Sequence, residues 1–450
     1  MIQAKRTYIL FLLIISVVAS IYAQVQKPPV VNTFLDLQEC LQIGLENNFD
    51  LQIVRNEEVI SDNNVTLGNA GFLPDATINS GYNIRSNNSD QLPMEGGDVV
   101  ESRNSNTQTL DAGLNLNWTI FEGFRVQTNY KRLKELQSAG ELYTQLEMEN
   151  LVSGLTAEYY NYVQQQIRLG NLEYAVSLSK ERLRIVDARY QVGSLSRLDL
   201  QQARVDFNAD SSMLIQQYEL LNRSRIRLNE LMGVDVDKQF MAADTTISLN
   251  RSLQKDDLFN RTMEQNTFLQ LSESNLTLSE LELSNLKSRN YPYLRLNTGY
   301  GFTHFDYNAG NFDRQRTWGP NVGVTIGYTL FDGFNRSREQ KNQHIRIRNR
   351  ELEVQRDKLA IESDFANMWM AYQNNIELTK LEVESLENAE INYEIAMERY
   401  RIGDLSGLEL REAQNSLLEA EQRLLTAQYN TKLYEISLMQ ISGSIAEFLQ

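Results

Sequence analysis

The sequence predicts an α+β membrane protein made of two copies of one unit, each with two strands, one very long helix and a shorter returning helix. Three observations predict this fold class. Landmarks in the first half recur in the second half at a constant spacing, and four segments alternate apolar with polar residues. The third observation is proline placement, because one long stretch between Pro93 and Pro292 and another after Pro320 contain no proline.

The N-terminal residues have the pattern of a secretory signal. Lys5 and Arg6 precede the apolar run 9–18, and the small side chains around Ala23 suit cleavage after that residue. The run is too short to be a membrane-spanning helix. Residues 1–23 are therefore predicted to be a signal peptide that is removed on export.

Composition argues against several classes of function. The formal net charge of −16 disfavours nucleic acid and anionic lipid surfaces as partners. Cys40 is the single cysteine, so no internal disulfide can form, and two histidines, His304 and His344, leave little for metal or triad chemistry. The sequence also has no phosphate-binding loop and no nucleophile elbow. We therefore expect a protein that is not an enzyme and needs no cofactor.

The internal repeat is the strongest signal. Two landmarks recur 210 positions later, namely Phe121-Glu-Gly-Phe124 as Phe331-Asp-Gly-Phe334, and Tyr190-Gln-Val-Gly-Ser-Leu-Ser as Tyr400-Arg-Ile-Gly-Asp-Leu-Ser. Upstream landmarks recur at 218 positions, so the first copy carries eight extra residues between Tyr82 and Phe121. Gene duplication explains this spacing. It predicts a first repeat at 24–240, an equatorial linker at 241–257 and a second repeat at 258–450.

Each copy opens with two alternating segments of about ten residues, with apolar side chains on one face and small polar ones on the other. The apolar positions include Ile78, Tyr82, Ile84, Leu110, Leu114, Leu116, Trp118, Leu294, Leu296, Tyr300, Phe302, Trp318, Val322, Val324, Ile326, Tyr328 and Leu330. This pattern is typical of barrel strands that face lipid. Strands of a soluble β-sandwich alternate too. In this chain, however, the strands form two isolated hairpins whose apolar faces would need a cover, and lipid supplies that cover directly.

The connections between strands indicate which side of the membrane the helices occupy. Segments 86–106 and 306–316 are polar and are predicted to be loops, whereas tight turns lead from the second strand of each copy into helix. The turn residues are Phe121, Gly123, Phe331 and Gly333. Because membrane barrels have long loops outside and short connections on the periplasmic side, the helices are predicted to be periplasmic.

Those helices are exceptionally long. Segments 122–191 and 332–401 contain no proline, and about 70 residues of helix make a rod of roughly 100 Å. Shorter helices are predicted to return over 198–232 and 408–441. Apolar residues recur along them at spacings of three and four, which predicts packed helical seams.

One chain cannot close a barrel with four strands. An open strand edge in lipid leaves backbone groups unpaired, and membrane barrels have at least about eight strands. Several copies must therefore share one barrel. This argument leaves open whether two copies provide eight strands or three copies provide twelve.

At this point the chain resembles the TolC-like outer-membrane efflux protein family. The resemblance rests on the duplicated motif Tyr-x-x-Gly-x-x-Ser-x-x-Asp/Glu-x-x-x-Ala, which begins at Tyr190 and at Tyr400, and on the two Phe-x-Gly-Phe turns. It implies a homotrimer in the outer membrane of a Gram-negative bacterium, with one 12-stranded barrel continued by a periplasmic α-helical barrel. It also implies a periplasmic adaptor protein and an inner-membrane pump of the RND, ABC or MFS class as partners.

The implied function is passive export of small molecules or secreted substrates. A type I protein-secretion component is the alternative within the family, and a structural coiled-coil surface protein is the alternative outside it. The resemblance assigns adaptor docking to Gly193, Leu195, Ser196, Gly403, Leu405 and Ser406, and a periplasmic gate to Asp199, Tyr400, Glu409 and Glu412.

Local chemistry offers a second explanation for the same tip residues. Gly193 and Gly403 suit left-handed helix ends, and Ser196 and Ser406 can begin capping boxes with the acidic residue three positions later. Tyr400 with Asp199 matches a family contact that closes the entrance. Leu405 replaces the family's reinforcing arginine, so the latch is expected to be incomplete.

Overall fold

A computed structural model describes residues 33–92, 94, 96, 98–250, 252–308 and 312–449. The predicted signal peptide, residues 1–23, lies outside the described residues. The chain forms one four-stranded antiparallel sheet, a small parallel pair of strands and a set of helices, several of them very long.

The large sheet contains β2 (Asp75–Gln91), β3 (Val100–Glu122), β5 (Tyr293–Tyr307) and β6 (Arg314–Gly327) in the order β2-β3-β5-β6. All three pairings are antiparallel. The hairpin of each repeat is therefore preserved, and the two hairpins are joined through β3 and β5. Strands β2 and β6 are left as open edges.

The register confirms that the sheet has one apolar and one polar face. Ile78 pairs with Leu114, which pairs with Tyr300, and all three side chains are exposed in the single chain. On the opposite face, Gly113 pairs with Gly301, which pairs with Gly319. A row of three glycines thus crosses three strands on the polar face. Along this row the sheet carries no side chains.

The strands are longer than the sequence predicted. They contain 17, 23, 15 and 14 residues rather than about ten, and most of the predicted loop 86–106 is paired strand. Asn, Ser and Thr beyond the alternating apolar positions still pair their backbones, so the alternation marks only part of each strand. Tyr328 and Leu330, expected in the last strand, lie beyond its end at Gly327.

The two long helices and their returning partners are confirmed. These are α4 (Arg125–Gln191), α5 (Arg197–Met232), α8 (Asn335–Ile402) and α9 (Gly407–Ile441). On the side far from the sheet, α5 packs on α4, α4 on α9, and α9 on α8. We call this arc α5-α4-α9-α8 the lower arc. Among the described residues, no helix is long and apolar enough to cross a membrane.

The sequence analysis missed a second set of helices that precedes each strand pair. These are α1 (Leu37–Asn47), α2 (Phe49–Asn64), α3 (Leu67–Ala70), α6 (Lys255–Gln265) and α7 (Thr267–Ser288), and a 3-10 helix (Ile445–Leu449) follows α9. Near the sheet, α2 packs on α4, α4 on α7, and α7 on α8. The upper arc α2-α4-α7-α8 thus shares its two long helices with the lower arc.

The main apolar core lies at mid-height of the rods. Leu41, Leu155, Tyr159 and Leu228 are fully buried there. Strand β1 (Phe34–Leu35) pairs in parallel with β4 (Met241–Ala242), and the Tyr159 hydroxyl donates to the Leu35 carbonyl. The start of the described chain and the beginning of the linker are therefore fixed against the first long helix.

Candidate functional site

Each helical hairpin ends in a tip that its own backbone chemistry defines. We call residues 192–196 the first tip and 402–406 the second tip. Gly193 has φ +78° and Gly403 has φ +89°, so both adopt the left-handed conformation expected at a helix end. Ser196 and Ser406 each accept a hydrogen bond from the backbone N–H three residues later. The sequence-predicted capping is confirmed at both tips.

Apolar side chains at the tips divide into buried and exposed groups. Leu195 and Leu405 are half-buried and pack against a cluster that includes Val186, Leu200 and Leu410. The residue that begins each tip and the residue two positions beyond its end are instead about four-fifths exposed, and they are Val192, Leu198, Ile402 and Leu408. The sequence analysis did not single out these four, although their recurrence 210 positions apart was a usable signal.

The structure gives two of the predicted gate carboxylates a local partner. The carboxylate of Asp199 accepts from the N–H and Oγ of Ser196 at 3.0 and 2.7 Å, and that of Glu409 accepts from Ser406 at the same distances. The serine hydroxyl in each pair holds the pKa of the carboxyl below its usual range. Glu412, one turn further along α9, is exposed.

Tyr400 is buried and lies at the contact between the two hairpins. Burial raises the pKa of its hydroxyl. Within one copy no hydrogen bond joins Tyr400 to Asp199, so that pairing stays a prediction. Instead, the Arg189 guanidinium lies 5.3 Å from the centre of the Tyr400 ring. Arg189 also donates to the carbonyl oxygens of Tyr400 and Arg401, at 3.2 and 2.9 Å.

A buried charged cluster fastens the hairpins above the tips. Arg411 of α9 makes two hydrogen bonds of 2.7 Å to Asp210 of α5, whose side chain is fully buried. Arg182 of α4 is paired with Asp206 of α5, and both side chains are largely buried. Sequence analysis did not single out these pairs, because Asp210 and Arg411 are 201 positions apart and nothing near Arg182 or Asp206 marks either residue as the partner of the other.

The turns between strand and helix also match across the repeats. Phe121 and Phe124 contact edge to face at 5.2 Å, and Phe331 and Phe334 do so at 5.3 Å. Phe124 and Phe334 have φ of +67° and +64°, which is uncommon for a residue with a side chain. Gly123 and Gly333, just before them, have φ of +57° and +70°.

No metal site is evident in the part of the chain that the structure describes, because no three His, Cys, Asp or Glu side chains are grouped to hold an ion. The arrangement at the tips is instead one of apolar knobs, capped helix ends and carboxylates. Such a surface can bind another protein or influence passing ions.

Comparison with known proteins supports this picture. A family model described as outer membrane efflux protein matches residues 40–234 and again residues 258–444. The outer membrane protein TolC of Vibrio cholerae serotype O1 is 21% identical over 418 residues, which is 92% of this chain and 91% of that protein.

Two solved channels have the same fold. The outer-membrane channel OprN superposes with a TM-score of 0.74 at 19% identity, over 94% of this chain and 96% of its own. The CmeC outer membrane channel of Campylobacter jejuni superposes with a TM-score of 0.73 at 18% identity, over 91% and 85%.

Proposed function

The chain belongs to the outer membrane efflux protein family, and from that premise we propose that it is one of three identical subunits of a passive export channel. The family consists of outer-membrane efflux channels, and the helices lie in the periplasm. The proposed cargo is small molecules, or secreted substrates, that reach the channel from the periplasmic side.

The open edges of the sheet carry the proposal. Strands β2 and β6 each have a neighbour on one side only, and unpaired backbone groups in lipid cost several kcal/mol each. Pairing β6 of one copy with β2 of the next continues the antiparallel order. Three copies then make twelve strands, a number within the range of known outer-membrane barrels.

We place the partners at the tips. A periplasmic adaptor would dock on residues 192–196 and 402–406, and an inner-membrane pump of the RND, ABC or MFS class would supply the energy. The support is positional, because these tips end rods of 67 and 68 residues and present exposed aliphatic side chains.

The gate would be formed by Tyr400, Asp199, Glu409 and Glu412. Three copies of Glu409 and Glu412 give six carboxylates around the entrance, and rings of carboxylates favour cations. Glu409 is partly engaged as a helix cap, so Glu412 is the stronger candidate for contact with passing ions.

Recording from single channels in planar bilayers tests both the proposed channel and the proposed gate. The purified protein should conduct and prefer cations, and Glu409→Gln with Glu412→Gln should shift the reversal potential in a salt gradient towards zero. Glutamine keeps a side-chain acceptor for the Ser406 cap. Glu419→Gln, an exposed carboxylate further along α9, is the matched control and should change little.

The failure of the channel proposal and the failure of the gate assignment give different results. A folded trimer that never conducts, even with the tips loosened by Arg189→Ala, contradicts the channel. A conducting trimer whose selectivity is the same in the double variant and in the control contradicts the gate assignment alone.

A further inference from the structure

The lipid-facing side of the second hairpin is apolar over a limited part of its length. Strands β5 and β6 pair with Leu294 beside Ile326 near the helices, and with Phe302 beside Trp318 towards the outer end. Eight residues separate these two rows on each strand, which is roughly 27 Å at about 3.3 Å per residue. Barrel strands are tilted by about 40°, so this apolar stripe spans roughly 20 Å of membrane. Its outermost row contains a tryptophan, a side chain that is enriched at membrane interfaces.

The two rows beyond the apolar stripe, on the same face, are charged. They pair His304 with Arg316 and Asp306 with Arg314, and we call these four residues the outer cluster. Alternation along each strand keeps the outer cluster on the lipid-facing side. The helices lie at the opposite end of the sheet, in the periplasm. The outer cluster is therefore level with the headgroups of the outer leaflet.

Hydrogen bonding within the outer cluster leaves both guanidinium groups able to bind a ligand. The carboxylate of Asp306 accepts from Nε of Arg314 at 2.9 Å and lies 3.3 Å from Nε2 of His304. The terminal nitrogens of Arg314 have no partner among the described residues, and its side chain is 61% exposed. Arg316 is exposed and makes no ion pair or hydrogen bond within the described part of the chain.

The charge of the outer cluster differs from that of the chain as a whole. The net charge of −16 disfavours contact with anionic surfaces in general. The outer cluster, however, contains two arginines and one carboxylate, and Arg314 and His304 already engage that carboxylate. Arg316 is left without a counter-charge. Because arginine binds phosphate through two parallel hydrogen bonds, a phosphate group is the anion that fits this position.

The first repeat shows that the fold does not require these charges. The corresponding rows of the first hairpin lie 218 positions earlier on the first strand and 210 positions earlier on the second. They contain only neutral residues, namely Ser86, Asn88, Asn104 and Asn106. Ser86 pairs with Asn106 in the same way as His304 pairs with Arg316. Neutral side chains therefore suffice to build this part of a hairpin, and the charges of the second hairpin need another explanation.

We propose that the outer cluster binds the phosphate of a glycolipid of the outer leaflet through Arg314 and Arg316. The glycolipid of that leaflet is lipopolysaccharide, whose lipid A part carries phosphate on sugars and has acyl chains below them. The acyl chains lie on the apolar stripe while the phosphate meets the guanidinium groups, and Asp306 holds Arg314 in place. This site is on the outside of the sheet, so it goes beyond the proposed export function.

Native mass spectrometry of the purified protein with added lipid A, carrying both of its phosphates, tests the site. The parent should bind one lipid A per chain. Arg316→Gln should weaken that binding about tenfold, because a charge-assisted contact is lost. This variant removes no contact within the described chain, so it should fold like the parent. Adding Arg314→Gln should weaken binding further.

Arg85→Gln is the matched control. Arg85 is exposed and also lies towards the outer end of the sheet, but it pairs with Thr107 on the polar face. The same loss of charge there should leave lipid A binding unchanged. Lipid A without phosphate has the same acyl chains, and it should bind the parent as weakly as intact lipid A binds the Arg314→Gln, Arg316→Gln double variant.

Three results would overturn the proposal. The first is equal affinity of the parent and Arg316→Gln for lipid A. The second is an equal loss in Arg85→Gln, because the effect would then follow from overall charge. The third is displacement of lipid A by an equal concentration of phosphatidylglycerol or inorganic phosphate, because the glycolipid would then not be the occupant. None of these results bears on export, which conductance measures separately.

Discussion

The glycines at the two strand-to-helix turns, Gly123 and Gly333, have the same backbone conformation but different amounts of space around them. Both turn glycines have positive φ. A Cβ on Gly123 would lie 2.1 Å from the carbonyl oxygen of Ser288, whereas a Cβ on Gly333 would meet nothing closer than the Asn335 side chain at 3.6 Å. Space as well as conformation therefore requires glycine at the first turn, and conformation alone at the second.

This difference predicts unequal effects of the same substitution. Gly333→Ala should cost about 1–2 kcal/mol, the usual penalty for a left-handed residue with a side chain. Gly123→Ala should cost more, because the backbone around Ser288 must also move. Thermal unfolding of the purified protein, followed by circular dichroism, measures both. Equal shifts in melting temperature would show that the Ser288 contact imposes no constraint.

The capping boxes predict a pH-dependent loosening of the tips. Because the pKa values of Asp199 and Glu409 are lowered in the folded chain, their contribution to stability is complete above the ordinary carboxyl pKa. It is lost as the pH falls through the lowered values.

Ser196→Ala and Ser406→Ala should each cost about 1 kcal/mol and should weaken this pH dependence. Amide hydrogen exchange over 197–200 and 407–410 is the measurement. The pH dependence of exchange, corrected for intrinsic rates, is then compared between the parent protein and the two variants. If the parent and the variants showed the same pH dependence, the carboxylates would not have this role.

At the scale of elements, local signals predicted the helices closely and the strands less well. The returning helices, expected over 198–232 and 408–441, are Arg197–Met232 and Gly407–Ile441. Glycine ends and serine caps are properties of neighbouring residues, so sequence alone locates them. The strands are longer than predicted because the apolar alternation stops before the backbone pairing does.

Pairing between elements could not be predicted in the same way. Asp210 and Arg411 are 201 positions apart, and nothing near either residue indicates the other. The helices α1–α3, α6 and α7 were missed because the repeat landmarks begin only near Pro74 and Pro292. The docking and gate roles of the tip residues stay predictions, since one copy does not contain the surfaces that would test them.

The Asp210–Arg411 pair predicts a large effect at this scale. Asp210→Ala leaves a half-buried guanidinium without its counter-charge, which costs about 3–5 kcal/mol for buried pairs. The double variant Asp210→Ala with Arg411→Leu should recover much of that loss, because no unpaired charge remains. Denaturation of the detergent-solubilised protein measures the difference.

A matched surface variant completes the comparison. Glu181→Ala removes an exposed partner of Arg184 on the same hairpin and should leave the stability nearly unchanged. If Asp210→Ala were no worse than Glu181→Ala, the buried pair would not be what holds α9 against the first hairpin.

At the scale of the whole molecule, the duplication explains why one chain is an open arc. The sheet, the upper helices and the lower helices all run from a first-repeat edge to a second-repeat edge. Each edge lacks the neighbour that the other repeat would provide. The number of copies cannot be predicted from any one residue, because it depends on the curvature summed over all layers.

The glycine row on the polar face of the sheet makes a prediction that depends on the complete ring. A Cβ on Gly301 meets no atom within 4 Å, whereas a Cβ on Gly299 would lie 2.4 Å from the carbonyl oxygen of Leu114. Gly301→Phe should therefore fold and assemble, and in the proposed trimer it would place three aromatic rings in the lumen. Single-channel conductance should fall while the yield of trimer is unchanged. Gly299→Ala, two residues away on the same strand, should lower the yield because it disturbs the pairing with β3. If Gly301→Phe conducted like the parent, the polar face of the sheet would not line the pore.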